Sequence, residues 1–364
     1  MNKSPEIMWV HVLRILAIFC VVVVHSSAQI FFLGAKFPSY EWWVANSYDS
    51  SVRICISLLF MLTGFLLLGK SEPLGLFLKK RVHKVVVPLL IWSVIFVLWI
   101  DFYEYYHPSS ASTMTMVEYL KPVHDSGWKI LIFMLWCPVY FHLWFLYAVL
   151  GVYLVTPILR VVVQHADRKL LWYMVGLALL GFMLYGLQVA TSVPNFIDLH
   201  MVGGNIGFVV LGYLLGTMTI SRRMAKVMAV VVPVCALTVI IGTYYLTAGD
   251  KGVLNQTLWN SPLVLAMSAG VLIIARYFDE QCTRLQEGKL NTAIKTLSSA
   301  SFGIYLVHVL FLYAFSEGLF GFRLTALSGN PAYFVPILVA LTYTCSFTVI
   351  YIMQKIPYVR RAVP

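Results

Sequence analysis

About ten times along this chain of 364 residues, an apolar run close to 20 residues long returns, and no other feature limits its fold so severely. The hydrocarbon core of a bilayer is about 30 Å thick and takes roughly 20 helical residues to cross. Backbone polar groups at that depth must be satisfied inside the segment, so such runs are expected to be helices. They fall near residues 7–32, 51–68, 85–102, 142–163, 170–189, 203–220, 224–246, 258–277, 299–320 and 333–353. A further apolar piece, 128–140, is short and broken by Pro138; it reads either as a re-entrant or interfacial segment or as the start of the fourth span. With 60% hydrophobic and only 11% charged residues, the chain carries more apolar surface than a soluble core could hide. The expectation is an all-α polytopic integral membrane protein, a single membrane-embedded domain over 1–364. No separate soluble domain and no convincing internal repeat are visible in the sequence.

A formal net charge of +11 would suggest nucleic acid in a soluble protein, but here its distribution speaks for topology. Ten spans put both termini on one side. If that side is the cytoplasm, 19 of the 26 Lys and Arg residues lie on cytoplasmic segments. Five (Lys36, Lys121, Lys129, Lys251 and Arg323) lie outside, and Arg14 and Arg53 fall within spans. The positive-inside rule therefore assigns both termini to the cytoplasm. The six cysteines are scattered, mostly in apolar runs, with no Cys-x-x-Cys pair, and read as small buried hydrophobes. The nine histidines form no metal-ligand spacing, so no metal is expected.

The first run contains two residues that lipid would penalise, in Arg14-Ile-Leu-Ala-Ile-Phe-Cys-Val-Val-Val-Val-His25. A cleaved signal peptide is one explanation, since Ser26-Ser27-Ala28 resembles a small-residue cleavage site. Against it, the apolar character starts before Arg14, at Met8-Trp9-Val10, and continues to Phe31-Phe32, long enough to span. In a retained helix, 11 residues at 100° each come to about 1100°, within roughly 20° of three whole turns. Arg14 and His25 then share a face, about 16 Å apart along the axis. An arginine at membrane depth costs about 3 kcal/mol on insertion scales and by default faces a cavity or partner. Snorkelling of Arg14 to the interface, and a plain interhelical hydrogen bond for His25, are the alternatives.

Five cations (Lys70, Lys79, Lys80, Arg81 and Lys84) crowd the connection between the second and third runs. Topological anchoring would explain them, and so would a phosphate-bearing cytoplasmic ligand. Three more stretches complete a set: Ser57-Leu-Leu-Phe-Met-Leu-Thr-Gly-Phe65, His142-Leu-Trp-Phe-Leu-Tyr-Ala-Val-Leu-Gly-Val-Tyr-Leu-Val-Thr-Pro157 and Ser301-Phe-Gly-Ile-Tyr-Leu-Val-His308. Together with the arginine–histidine run and the basic cluster, and in this order over nearly the whole chain, they resemble membrane-bound acyltransferase family 3. That family includes O-acetyltransferases of bacterial surface polysaccharides, such as the enzyme of the enterobacterial common antigen.

The resemblance implies transfer of an acyl group, usually acetyl from cytoplasmic acetyl-CoA, to a glycan on the far side of a bacterial inner membrane. No permanently bound cofactor is implied; acyl-CoA is a cosubstrate, the glycan acceptor and the bilayer are the partners, and nucleic acid is not one. The family's first-helix pair matches Arg14 and His25, and its basic loop matches Lys79, Lys80, Arg81 and Lys84. Two departures stand out: Lys84 occupies a place where a second arginine is common, and the usual Asp-x-Leu-Arg-Gly is here His11-Val-Leu-Arg-Ile15. No extracellular hydrolase-like domain follows, as in the stand-alone form. In the expected mechanism the basic cluster and Arg14 hold the donor and His25 acts as general base. His142, Tyr305 and His308 are candidates to stabilise the oxyanion. Trp144 and Arg53 are candidates for acceptor binding, although Arg53 could equally pair with Asp49. A covalent acyl-enzyme through Ser or Cys is a rival route. A glycan transporter or flippase and a non-catalytic scaffold are rival functions.

Overall fold

The computed structural model describes residues 7–106, 134, 137–191, 199–249, 255–281 and 288–364. Lys121, Lys129, Lys251, Cys282, Arg284 and most of the 128–140 piece lie outside the described residues. Among the described residues there is no strand, and nine helices are long and apolar enough to cross a membrane. The helices are α1 (Met8–Phe32), α2 (Tyr40–Ser51), α3 (Ile54–Leu67), α4 (Leu74–Tyr106), α5 (Trp144–His165), α6 (Arg168–Thr191), α7 (His200–Thr217), α8 (Arg222–Gly249), α9 (Pro262–Gln281), α10 (Gly288–Ser316) and α11 (Pro331–Lys355). The polytopic all-α architecture is as expected, but three of its elements depart from the apolar runs.

The sixth run, 203–220, forms only a short apolar helix, Gly204–Thr217, after a kink with non-helical backbone at Gly204. Fourteen residues rise about 21 Å, well short of the hydrocarbon thickness. The helix tolerates this because protein rather than lipid covers it: Val209, Val210, Leu211, Leu214 and Leu215 are all buried. Its packing against α3 is very close. A Cβ on Gly64 would overlap the Val209 carbonyl, and one on Gly212 would overlap that of Met61. Short buried helices leave terminal carbonyls that need donors, and arginines supply them. Arg276 donates to the Leu215 and Met218 carbonyls at the end of α7, and Arg160 Nε donates to the Leu67 carbonyl at the end of α3 at 2.9 Å. Part of the basic excess thus has a structural use.

The second run, 51–68, is not one uniform helix. The chain breaks at Val52–Arg53, and α2 precedes the break as a separate helix whose N-terminus is capped by Ser39, accepting from the Trp42 N–H at 3.2 Å. Sequence reading missed α2 because its face is mixed, with Asn46, Asp49 and Ser50 buried among apolar neighbours.

The third run starts earlier than its apolar core. The basic connection is not a loop: α4 begins at Leu74, directly after Pro73, and carries all of residues 79–84 in its first turns. A buried stripe at Phe77, Val85, Leu89, Trp92, Phe96 and Ile100 runs along it at helical spacing. That stripe extends the helix past the charged residues, which are themselves good helix formers.

The chain divides into two compact units, Met1–Lys70 with Ile158–Tyr351, and Ser71–Pro157 with Ile352–Pro364. In the first, α1 is central and packs on α2, α3, α9 and α10. In the second, the C-terminal 3-10 turn Val359–Arg361 returns to α4, where Trp92 Nε1 donates to the Ala362 carbonyl at 3.0 Å.

Candidate active site

Within the first unit, α1 and α10 run side by side in the same direction, as a ladder of polar contacts shows. His11 Nδ1 meets Ser298 Oγ at 2.9 Å, the rings of His25 and His308 lie 5.2 Å apart, and Gln29 Nε2 donates to Ser316 Oγ at 2.9 Å. The two strands of this ladder stay in step because helices of equal rise advance together: 11 residues from Arg14 to His25 against 10 from Ser298 to His308. The apolar run between Arg14 and His25 keeps Ala17, Ile18, Val21 and Val22 buried, so the polar residues are set at the two ends of a hydrophobic interface.

At the His25 end, His25 itself is partly exposed while His308 and Tyr305 are buried, at 0% and 2% relative exposure. The His308 ring lies 32° from the plane of His25 and 6.1 Å from the Tyr305 ring. His308 Nδ1 is 2.7 Å from the Tyr305 backbone carbonyl. A carbonyl only accepts, so Nδ1 carries the proton, and neutral His308 therefore presents an acceptor at Nε2. An acceptor suits orienting a neighbouring N–H or O–H group. Stabilising an oxyanion calls for a donor, which of these residues the Tyr305 hydroxyl is chemically able to supply. Ser26, next to His25, is fully buried and its hydroxyl has no hydrogen-bond partner among the described residues. Its neighbour Ser27 instead returns its hydroxyl to the Val23 carbonyl at 2.9 Å. Sequence reading took Ser26 only as part of a cleavage-site lookalike.

At the other end, Arg14 is partly exposed and its Nη1 donates to Ser298 Oγ at 3.4 Å. The same hydroxyl serves His11, the residue that replaces the aspartate of the resembling motif. His11 and Ser298 were both missed; the signal for His11 was available, since it lies one turn from Arg14 on the same helix.

Arg53 belongs to a different environment. It is 1% exposed, its Nε and Nη2 donate to Asp49 Oδ2 at 2.9 and 2.7 Å, and its Nη1 donates to Thr243 Oγ1 at 3.1 Å. The guanidinium also lies over the Trp259 ring at 5.5 Å. The pairing with Asp49, one of the two roles the sequence left open, is present.

The remaining candidates sit in the second unit. His142, in a 3-10 turn at Phe141–Leu143, is buried among aromatic rings, 4.9 Å from Phe96 and 5.7 Å from Tyr140. Trp144 is 47% exposed at the start of α5. Tyr147 acts as a strut, its hydroxyl placed to donate to the Met134 or Cys137 carbonyl. In the cation cluster, Lys79, Lys80 and Lys84 point outward, and Lys80 pairs with Glu72 at 2.6 Å. Arg81 turns onto the buried stripe, over the rings of Phe77 at 5.5 Å and Tyr153 at 6.0 Å. No cluster of three or more His, Cys, Asp or Glu side chains suited to a metal occurs among the described residues.

A family model described as an acyltransferase domain matches residues 7–351, nearly the whole chain and both of its units. No curated protein and no solved structure matches.

Proposed function

This chain belongs to the acyltransferase 3 family, and on that premise we propose that it moves an acyl group, with acetyl favoured, from cytoplasmic acyl-CoA to a hydroxyl of a cell-surface or lipid-linked glycan. Its multi-pass helices would hold it in a bacterial inner membrane with both termini in the cytoplasm. The observation that carries this reading is the α1–α10 ladder, with a cationic, hydroxyl-bearing end at Arg14 and a paired-histidine end at His25 separated by an apolar interface about three turns long.

The mechanism we assign is direct transfer. Arg14 binds a phosphate group of the donor through charge-assisted hydrogen bonds, and the outward lysines of α4 carry the charge to attract donor phosphates in their own right. The flexible arm of the donor then spans the distance to His25. His25 in its neutral form removes the proton from the acceptor hydroxyl as the oxygen attacks the thioester carbonyl. The tetrahedral intermediate needs a donor for its oxyanion, a role within the chemistry of Tyr305. When the carbon–sulfur bond breaks, the proton on His25 passes to the departing thiolate, so ester and free thiol form with no net proton uptake. His308, with its proton committed to the Tyr305 carbonyl, orients His25 or the incoming hydroxyl through Nε2. Trp144, exposed at the start of α5, suits stacking on a sugar ring. His142, buried among aromatic rings of the second unit, fits an orienting group within that unit.

Membranes holding the full chain, incubated with labelled acetyl-CoA and surface glycan, provide the test. Wild type should label the glycan, and His25→Ala should lower the rate by about 10²–10⁴. Labelling that survives His25→Ala would remove His25 from the chemistry, and glycan uptake without labelling would replace the enzyme reading with transport.

A further inference from the structure

Serine and threonine in apolar helices usually return their hydroxyl to a carbonyl three or four residues back. Ser27, Thr63, Thr156, Ser268, Ser316 and Thr348 all do so in this chain. Thr342 and Ser346, on successive turns of α11, do not. Both are 0% exposed, and neither hydroxyl has a hydrogen-bond partner among the described residues. The hydroxyl of Tyr343, between them, is likewise buried and without a partner there. Three unsatisfied hydroxyls within five residues are costly in a lipid-embedded protein, where no bulk water can compensate them.

Their location is given by two contacts. Ile350, one turn beyond Ser346 on the same buried stripe, rests against Gly303 of α10, where even a methyl group would collide with it. Tyr343 meets Phe19 of α1 with ring centroids 5.8 Å apart. Gly303 stands midway between Ser298 and His308, and Phe19 midway between Arg14 and His25. Gln29 holds both Ser316 at the end of α10 and the Ala326 N–H shortly before α11, so α11 runs antiparallel to α10. It steps from Ile350 through Ser346 to Thr342 toward His308, and the hydroxyls border the histidine end of the α1–α10 face. An alkyl chain there would leave them unsatisfied, and uncharged hydroxyls alone would poorly compensate an anion. A neutral segment that presents both donors and acceptors fits them, and amide groups have that character.

We propose that Thr342, Tyr343 and Ser346 hold the amide groups of the pantetheine arm of the acyl-CoA donor where it approaches His25. This rests on the acyl-CoA reading given above. The arm carries two amides between phosphate and thioester, each offering one N–H and one carbonyl, and the hydroxyls both donate and accept.

Donor kinetics in the full-length protein in membranes test it, with acetyl-CoA and an acetyl thioester of a simple alkanethiol, which lacks the amides. The triple variant Thr342→Val, Tyr343→Phe, Ser346→Ala removes the hydroxyls at nearly constant volume. KM for acetyl-CoA should rise about 10-fold or more, while kcat stays within about twofold and the alkanethiol thioester is used as before. Thermal stability should be unchanged or higher, because unsatisfied buried groups have been removed. An unchanged KM for acetyl-CoA, or an equal loss with both donors, overturns the proposal. If wild type transfers nothing from acetyl-CoA, the functional reading fails and this inference fails with it; transfer by wild type with an unaffected triple variant defeats the inference alone.

Discussion

Arg14 and Arg53 both lie within predicted spans, and their surroundings differ in kind. Arg53 is closed off: its donors go to Asp49 and Thr243, Trp259 covers its guanidinium, and it is 1% exposed. Arg14 is partly exposed and reaches a serine hydroxyl that it shares with a histidine. The sequence assigned both the same penalty for entering a membrane, and both avoid it, but by opposite means. Arg53 is neutralised inside the bundle and fastens α2 to α3 and α8. Arg14 keeps part of its side chain exposed beside the Ser298 hydroxyl, where an anionic substrate could reach it. An arginine at membrane depth thus indicates a function only once its surroundings have been traced.

The largest effect that would sharpen this contrast is on stability. Arg53→Ala strands a buried carboxylate and should cost about 3–5 kcal/mol, read as a lower midpoint of thermal unfolding in detergent or nanodiscs. Pairing Arg53→Met with Asp49→Leu should recover most of that loss and leave acyl transfer intact. If the double variant is stable but its KM for the glycan rises sharply, Arg53 binds acceptor after all, and the contrast breaks. A smaller effect, on binding, is expected at the other arginine. Arg14→Ala should leave the unfolding midpoint nearly unchanged and raise KM for acyl-CoA by about 10- to 100-fold, the worth of a charge-assisted hydrogen bond. Unaltered CoA affinity with collapsed acceptor binding would reverse the two ends of the α1 face. The smallest effect belongs to the outward lysines of α4. Replacing Lys79, Lys80 and Lys84 with Gln while keeping Arg81 should raise donor KM by only about two- to fivefold and flatten its salt dependence, since exposed charges are strongly screened. A salt dependence that survives the substitutions would restrict these lysines to topology.

How much was readable in advance follows the range of the interactions. The apolar runs located the long helices, because burial in lipid is imposed residue by residue. The face shared by Arg14 and His25 was readable because helical rotation is local geometry. The short α7 was not, since only contact with α3 tells a helix covered by protein from one covered by lipid; the glycines at 64 and 212 pack backbone to backbone there. The early start of α4 was hidden because its charges masked a stripe that begins at Phe77. Tyr305 and His308 were named for the site as candidates, but their placement beside His25 depends on the register of two helices nearly 300 residues apart in sequence.

The sequence alone determined that this protein lives in a membrane as a bundle of helices, and which family of acyltransferases its motifs resemble. It also determined that an arginine and a histidine would share one face of the first helix. Those are consequences of hydropathy and of a fixed rotation per residue. Only the tertiary structure decided that Ser298 and His11 would share the contact at Arg14, that Asp49 would claim Arg53, and that His308 would face His25. Each depends on which helices become neighbours, and packing across the bundle selects those after the local rules have been satisfied.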